Sequence, residues 1–439
     1  MTFASLILAV GVPTLIGYLA AHRCLAETEG TSRLEELVLG WGLGMGFVTL
    51  VLFALGAAGI PFTLGRVLLP AGLAALALAV PRRPSGAVVP KAGDSAGLFH
   101  GFASLSRPAK ASVVGLGAWL ALKGAVTLAE AWLLPIYSWD SWVQWSSGGK
   151  FFFVRRGLVL DPADPHFFGW DAGRVHLNYP LHVSLSEVWF ALCRGDFNEI
   201  FVKAWGPLTY FAIVALLYST LRRETSVPVS LLFSLLLASA PLLTFHAFDA
   251  YADLTLAFHE LAAMACFWRV AGDRQAGDRV DRGALFLSGT FAALAIWTKQ
   301  EGLLFAIVLL AVASVYLLVK RRLKALAPAL FVPPALLCTA WFGFLRFEGL
   351  PVFGRGEQIQ VSLWHWEILP TVLRELLLSA NFNVVFGVFL VISAWSIGTI
   401  ARSELKYPYL VLAGTAGSLV FVYLTTENYR WVQDPALSR

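Results

Sequence analysis

Long apolar runs alternate with short polar segments along almost the whole chain. Each run is close to the roughly 20 residues with which an α-helix crosses the hydrocarbon core of a membrane. Helices are the expected form because they satisfy their backbone hydrogen bonds internally in lipid. The pattern predicts an all-α polytopic membrane protein with about twelve transmembrane helices. The predicted spans are 3–21, 37–58, 62–80, 112–134, 201–221, 227–245, 254–270, 284–298, 302–319, 326–345, 382–400 and 407–424.

The composition supports this class. Hydrophobic residues make up 58% of the chain and charged residues only 14%, against roughly 25% charged in an average soluble domain. The basic residues cluster in short loops between apolar runs, as the positive-inside rule describes, so no nucleic-acid partner is expected. The four cysteines are scattered and predict neither a disulfide framework nor a zinc site. The first run lacks a signal-peptide cleavage pattern and is expected to be a retained helix.

The segment 180–192 decides the predicted topology. It is apolar but too short to cross a membrane easily, so it is either a short span or an amphipathic helix along the outer surface. If it does not span, the loops on the same side as 81–111 hold about 19 Lys and Arg, and the loops on the other side hold about 11. If it spans, the two sides hold about 14 and about 16, and the bias disappears. This count omits basic residues inside predicted spans, such as Lys203. The bias favours a juxtamembrane helix and a cytoplasmic 81–111 loop.

This topology divides the chain into three parts. Residues 1–111 form N-terminal helices and a cytoplasmic linker rich in Pro, Gly and Ser. Residues 112–319 form a central module with an outer loop at 135–199, and residues 320–439 form C-terminal helices with an outer loop at 346–379. In the second predicted span, glycines at every second position from Gly40 to Gly46 give small-xxx-small spacings, which predict close helix packing.

Asp140 is the first candidate for chemistry. It directly follows the span 112–134 and lies between Trp139 and Trp142, at a depth where indole rings favour the membrane–water boundary. One interpretation is a catalytic carboxylate at the membrane surface. The alternative is an aromatic belt that contains a single solvated aspartate.

Further charges interrupt apolar runs on the same predicted side. Asp249 and Asp253 lie in one such turn, and Lys299 and Glu301 lie in another. Charges at membrane depth are costly and indicate functional sites by default. The alternatives are that the aspartates only mark a wet turn and that Lys299 only pairs with Glu301.

The outer loop after Asp140 is rich in cations, against the positive-inside trend. An anionic ligand such as a phosphate would account for them, although lipid head groups are the alternative. Carboxylates at Asp140 and Asp249 or Asp253 would also suit a divalent metal, which the sequence leaves open. The chain has no Walker motif and no Ser nucleophile elbow. The cations are Lys150, Arg155, Arg156, His166, Arg174, His176 and His182.

Four short motifs in this order resemble the GT-C superfamily, the integral-membrane glycosyltransferases that use polyprenyl-phosphate sugars and include aminoarabinose transferases and protein mannosyltransferases. The resemblance covers roughly residues 112–319. The motifs are Trp139-Asp140-Ser141-Trp142, Tyr179-Pro180-Leu181, Tyr251-Ala252-Asp253-Leu254 and Lys299-Gln300-Glu301-Gly302.

The resemblance implies a role for each candidate residue. Asp140 is expected to be the general base for the acceptor hydroxyl, with Asp253 and Asp249 as further catalytic carboxylates. Cations are expected to stabilise the departing lipid phosphate. The predicted phosphate-binding residues are Lys150, Arg155, Arg156, His182 and Lys299. The predicted sugar- and acceptor-binding residues are Trp139, Trp142, Tyr179, Tyr251, Glu301, Trp364 and Trp366.

Two departures from the family pattern stand out. The family places its catalytic loop after the first helix, whereas three predicted spans precede the one that leads to Asp140 here. Many members also carry a sizeable outward C-terminal domain, whereas this chain stops at Arg439. The acceptor-binding part is therefore expected to be reduced, to be missing from this sequence, or to be built from the loop 346–379. The resemblance implies no definite cofactor, and a divalent metal is left open.

The resemblance implies an inverting glycosyltransferase in a bacterial inner membrane, with its active site facing the periplasm. Its partners would be a polyprenyl-phosphate sugar donor, membrane lipid, and a glycan, lipid or protein acceptor. A lipid-linked oligosaccharide ligase or polymerase is the enzymatic alternative, favoured if Arg355 and Arg374 were essential and Asp140 dispensable. A transporter is the alternative from another class and predicts paired discontinuous helices with an inverted repeat.

Overall fold

All regular structure in the described part of the chain is helical, which confirms the all-α polytopic class. The computed structural model describes residues 3–26, 30–80, 102–160, 178–272, 281–352, 364–378, 385–427 and 429–430. Within these residues, eight helices are long and apolar enough to cross a membrane, or nine if one bent pair is counted as a single span.

Each of the twelve predicted runs falls on a helix or a consecutive pair. The long helices are α1 (Phe3–Leu25), α2 (Arg33–Ala57), α4 (Arg107–Leu133), α7 with α8 (Glu199–Val202 and Trp205–Leu221), α11 (Ala252–Gly272), α13 (Glu301–Val319), α14 (Leu323–Phe347) and α18 (Lys406–Thr425). The bent pair is α9 (Val227–Ala238) and α10 (Pro241–Phe248), which meet at 65°. The shorter helices on predicted runs are α3 (Leu64–Ala79), α12 (Arg282–Thr298), α16 (Val385–Trp395) and α17 (Ile397–Arg402).

The glycines of α2 allow α1 and α2 to approach backbone to backbone. A Cβ placed on Gly44 would lie 1.8 Å from the carbonyl oxygen of Pro13, and a Cβ on Gly17 would lie 1.8 Å from that of Gly40. No larger residue fits these positions without separating the helices. The close packing predicted from the small-residue spacing is therefore confirmed.

The outer-loop segments meet at one end of the helix bundle. The backbone N–H groups of Tyr137 and Ser138 bond to the carboxylate of Asp249, so the residues beside Asp140 and the turn between α10 and α11 lie together. A spanning 180–192 segment would have placed them at opposite ends. The structure thus agrees with the predicted sidedness of these segments.

The short helix α6 (His182–Arg194) differs from the amphipathic surface helix that the charge count favoured. Twelve of its thirteen residues are buried, because it packs against α1, α2 and α5 (Ser147–Arg155). Its polar side chains bond within the protein: the Ser184 hydroxyl donates to the carbonyl oxygen of Trp145 at 2.8 Å. The polar residues that suggested a solvent-exposed helix face therefore lie inside the protein.

Glu187 is the most unusual of these buried polar groups. The Ser146 hydroxyl donates to its Oε1 at 2.6 Å, while its Oε2 is buried without a hydrogen-bond partner in the described residues. A Cβ on Gly149 would lie 2.7 Å from Oε2. Burial raises the pKa of Glu187 to about 8, so the side chain is largely protonated at neutral pH.

We expect the stability of the protein to fall as the pH rises through the window set by Glu187. An acid whose pKa is raised from 4.5 to about 8 on folding binds more protons in the folded state, so unfolding becomes easier with rising pH across that window. Glu187→Gln should flatten the dependence of the melting temperature on pH between 5 and 8. The exposed Glu348→Gln is the control and should keep the wild-type slope; equal slopes for all three proteins would contradict the prediction.

Candidate active site

An ion-pair triad lies where three helices end or begin at the Asp140 end of the bundle. Lys299 follows the last residue of α12, and its Nζ lies 2.9 Å from Oδ1 of Asp253 and 3.2 Å from Oε1 of Glu301. Asp253 is in the first turn of α11, and Glu301 opens α13. Burial alone would lower the pKa of Lys299, but the two carboxylates raise it well above its usual value. Lys299 is therefore a fixed cation.

Two tyrosines interact electrostatically with Asp140 and with members of this triad. Burial, and after it the charge of Asp140, raises the pKa of Tyr251 to about 12, with a smaller effect from Asp253. Tyr423 of α18 interacts electrostatically with Glu301, Lys299, Asp253 and also Asp140. Asp140 and members of the triad, predicted from separate segments, thus both act electrostatically on the same two phenol groups.

Asp140 itself is exposed and directly precedes a π-helix at Ser141–Ser146. π-Helical turns are rare in proteins overall, and those that occur are often found at functional sites. The flanking rings of Trp139 and Trp142 are also partly exposed and meet edge to face at 6.4 Å. An exposed carboxylate between exposed rings can reach a hydroxyl group that arrives from outside.

Two site residues have no counterpart in the sequence predictions. His246 of α10 stacks on Tyr251 with ring centroids 4.4 Å apart and interacts electrostatically with Asp253 and Lys299. Tyr423 is the other. His246 directly follows the predicted run 227–245, five residues before the Tyr251 motif, and Tyr423 lies inside the run 407–424. Neither is an Asp, Glu, Lys or Arg, so the charge signal that found Asp140 did not indicate them.

Asp249, predicted as a catalytic carboxylate, lies behind the loop instead. Its Oδ1 accepts from the N–H of Tyr137 at 3.2 Å and its Oδ2 from the N–H of Ser138 at 2.9 Å. The residue is fully buried. Burial raises the pKa of Asp249, although these two bonds and the charge of Lys203 oppose the shift.

The predicted phosphate-binding cations divide into two groups. Lys150, Arg155 and Arg156 are exposed on or just after α5, and the guanidinium of Arg156 lies 4.3 Å from the ring centroid of Phe153. Lys299 belongs to the triad. The predicted cations His166, Arg174 and His176 lie outside the described residues.

His182 does not fit its predicted role. It is only 2% exposed, its Nδ1 lies 2.8 Å from the Thr49 hydroxyl, and its ring packs against His259 at 5.2 Å. Burial lowers the pKa of His182 to about 3. A neutral imidazole in the core cannot contact a lipid phosphate at the surface, so we remove His182 from the phosphate-binding set.

The remaining predicted aromatic residues belong to two stacked pairs. Tyr179 stacks on the buried Trp145 at 5.8 Å. Trp364 and Trp366 stack at 5.1 Å with only 6° between their planes, and both are exposed. The N–H of His365, between them, donates to the carbonyl oxygen of Leu424, the residue after Tyr423. This bond holds the tryptophan pair next to the candidate site.

The charged groups at this end already have protein partners. Among the described residues, no group of three His, Cys, Asp or Glu side chains is arranged to hold a metal ion. Asp253 and Glu301 pair with Lys299, and Asp249 bonds to backbone. These three carboxylates therefore already have partners within the protein.

Residues 193–366 match the model of the dolichyl-phosphate-mannose-protein mannosyltransferase family. This is a GT-C family, and the match confirms the resemblance drawn from the motifs. The chain is GT-C-like. The matched part is less than half of the chain; it includes Asp253, Lys299 and Glu301, and Asp140 precedes it. Comparisons of this GT-C-like chain with curated proteins and with solved structures give no match.

The family match supports polyprenyl-phosphate-sugar glycosyltransferase activity in a multi-pass membrane protein. It does so independently of Asp140, because the matched residues begin at 193, whereas they include Asp253, Lys299 and Glu301 of the triad.

Proposed function

We propose that the protein is an inverting glycosyltransferase at the periplasmic face of a bacterial inner membrane. Its donor is a sugar linked to polyprenyl phosphate, and its acceptor is an envelope glycan, lipid or protein. The observation that supports the proposal is geometric: the backbone N–H groups of Tyr137 and Ser138, just before Asp140, bond to Asp249. Asp249 is four residues before Asp253, which pairs with Lys299. Asp140 is the proposed base and Lys299 the proposed cation of this region.

In the proposed reaction, Asp140 takes the proton of the acceptor hydroxyl. The acceptor oxygen forms a bond to the anomeric carbon while the bond between that carbon and the phosphate oxygen breaks. Polyprenyl phosphate leaves with the electron pair of that bond, and its charge is stabilised by a cation. Attack from the face opposite the leaving group inverts the anomeric configuration.

Lys299 is proposed to stabilise the departing phosphate, because Asp253 and Glu301 keep it protonated and fixed. Lys150, Arg155 and Arg156 are exposed and are proposed to contact the phosphate as the donor enters from the membrane. Trp139 and Trp142 beside Asp140, and the Trp364–Trp366 pair, are proposed to stack on sugar rings.

No specific observation on the described residues favours the ligase alternative or the transporter alternative. Arg374, which the ligase alternative requires, is exposed and bonds to its neighbour Glu375 at 3.2 Å, while Arg355 lies outside the described residues. The transporter alternative predicts paired discontinuous helices, and the described part of the chain contains one bent pair, α9 with α10.

The reaction's stereochemistry tests the proposal directly. We expect the purified protein in nanodiscs to release polyprenyl phosphate from a polyprenyl-phosphate sugar, with polyprenyl-phosphate mannose as the first probe because of the family match. NMR of the product should show the anomeric configuration opposite to that of the donor. Retention of configuration would contradict the mechanism. No transfer to envelope lipid, glycan or protein fractions, from mannose or other sugar donors, would contradict the function.

A further inference from the structure

The five residues that lead into the Asp140 motif, 134–138, are held from two sides by charged side chains. Nζ of Lys203 donates to the carbonyl oxygens of Leu134 at 2.6 Å and Pro135 at 3.3 Å. The carboxylate of Asp249 accepts the backbone N–H groups of Tyr137 and Ser138. Four of the backbone polar groups in this short segment are thus fixed by two residues.

Both charged residues are completely buried: Lys203 and Asp249 are each 0% exposed. Burying a charge costs several kcal/mol unless bonds and opposite charges compensate. Here the backbone bonds and the mutual attraction of the two charges across the segment provide the compensation. A purely apolar contact would fill the same space at lower cost, so the pair needs a reason beyond packing.

The surrounding backbone is shaped to bring the two residues together. Lys203 lies between α7 and α8, and Asp249 follows α10. Gly206 allows the start of α8 to touch the end of α10, because a Cβ there would lie 2.4 Å from the carbonyl oxygen of Ala247. Directly after Asp249, the buried Ala250 has a φ of 57°, a left-handed conformation that costs energy for a residue with a Cβ.

We propose that Lys203 and Asp249 form a clamp that positions Asp140 for proton abstraction. The inference rests on the proposed function, because it assigns both as positioning residues for that reaction. The link to Asp140 is short: Asp140 is two residues beyond Ser138, and the carbonyl oxygen of Ser138 accepts the N–H of Trp142 at 2.8 Å. Fixing Ser138 therefore fixes the turn that carries Asp140.

A direct catalytic role for Asp249 fits the geometry less well. Both of its oxygens are occupied by backbone N–H groups, and no part of it is exposed. Asp140, in contrast, is exposed. The clamp thus acts through another residue, and a misplacement of about 1 Å at a catalytic group can cost about 100-fold in rate.

The test combines amide hydrogen exchange with kinetics on the full-length protein in nanodiscs. Asp249→Asn and Lys203→Met each remove one side of the clamp, and Asp196→Asn, an exposed carboxylate paired with Arg194, is the control. We expect amide exchange in 134–142 to rise about tenfold or more while that of α8 and α11 stays unchanged. Turnover should fall about 10- to 100-fold with the KM for the donor nearly unchanged, since binding groups elsewhere are intact.

The double variant Asp249→Asn with Lys203→Met covers the case in which a single variant does not fold, because it leaves no uncompensated buried charge. Its turnover should match that of the worse single variant, since residues acting on one segment are not additive. Unchanged exchange in 134–142 in a folded variant would overturn the clamp. Raised exchange with normal turnover would overturn the positioning role. If the wild type transfers no sugar, the proposed function fails, and a local rise in exchange would then assign both residues to the fold alone.

Discussion

Replacing Asp140 by Asn is expected to lower sugar transfer by about 10²–10⁴-fold, the typical contribution of a general base. Asn has nearly the same shape but cannot accept the proton of the acceptor hydroxyl. The loop should remain in place, because the bonds that hold residues 134–138 come from Lys203 and Asp249. The loss should therefore appear in turnover, while the KM for the donor stays close to that of the wild type.

The control for this substitution is Asp196→Asn, measured with the same polyprenyl-phosphate donor. Asp196 is also an exposed aspartate, but it pairs with Arg194. Its variant should transfer sugar at the wild-type rate. Normal transfer by the Asp140→Asn protein would exclude Asp140 as the base. Another group would then have to activate the acceptor hydroxyl.

The fold could be predicted almost completely from the sequence, because hydrocarbon imposes one dominant constraint on every spanning segment. Each predicted apolar run coincides with a helix or a helix pair. The surroundings of α6 were not predicted, because it is buried inside the protein. Its polar residues bond to Trp145 and Ser146, and hydropathy alone cannot distinguish a polar group that faces water from one satisfied inside the protein.

The candidate site could be predicted only in part, for a related reason. Asp140, Asp253 and Lys299 interrupt apolar runs, so their cost in the membrane made them visible in the sequence. His246 and Tyr423 lie inside apolar helices and join the site only through tertiary packing. Lys203 was set aside as a residue within a span, yet it contacts the Asp140 loop. Asp249 was among the predicted site residues, but its hydrogen bonds to the backbone of Tyr137 and Ser138 could be seen only in the structure.

At the opposite end of the bundle, breaking the Glu35–Arg269 pair is expected to destabilise the protein by about 3–5 kcal/mol. Nε of Arg269 lies 3.0 Å from Oε1 of Glu35, and a second bond joins its Nη2 to Oε2. The side chains are only 2% and 1% exposed. Among the described residues, Arg269→Met leaves the buried carboxylate with Arg223 as its remaining cation, whose Nη2 is 3.8 Å away, so most of the charge compensation is lost.

The free energy of unfolding in one detergent measures this effect. Lys320→Met is the matched control, because Lys320 and Glu404 form an ion pair at 3.4 Å that is much more exposed, and such pairs contribute about 0–1 kcal/mol. Adding Glu35→Met to Arg269→Met should recover part of the loss, since no unpaired carboxylate then remains in the core. Equal destabilisation by the Arg269 and Lys320 variants would show that burial does not strengthen the Glu35–Arg269 pair.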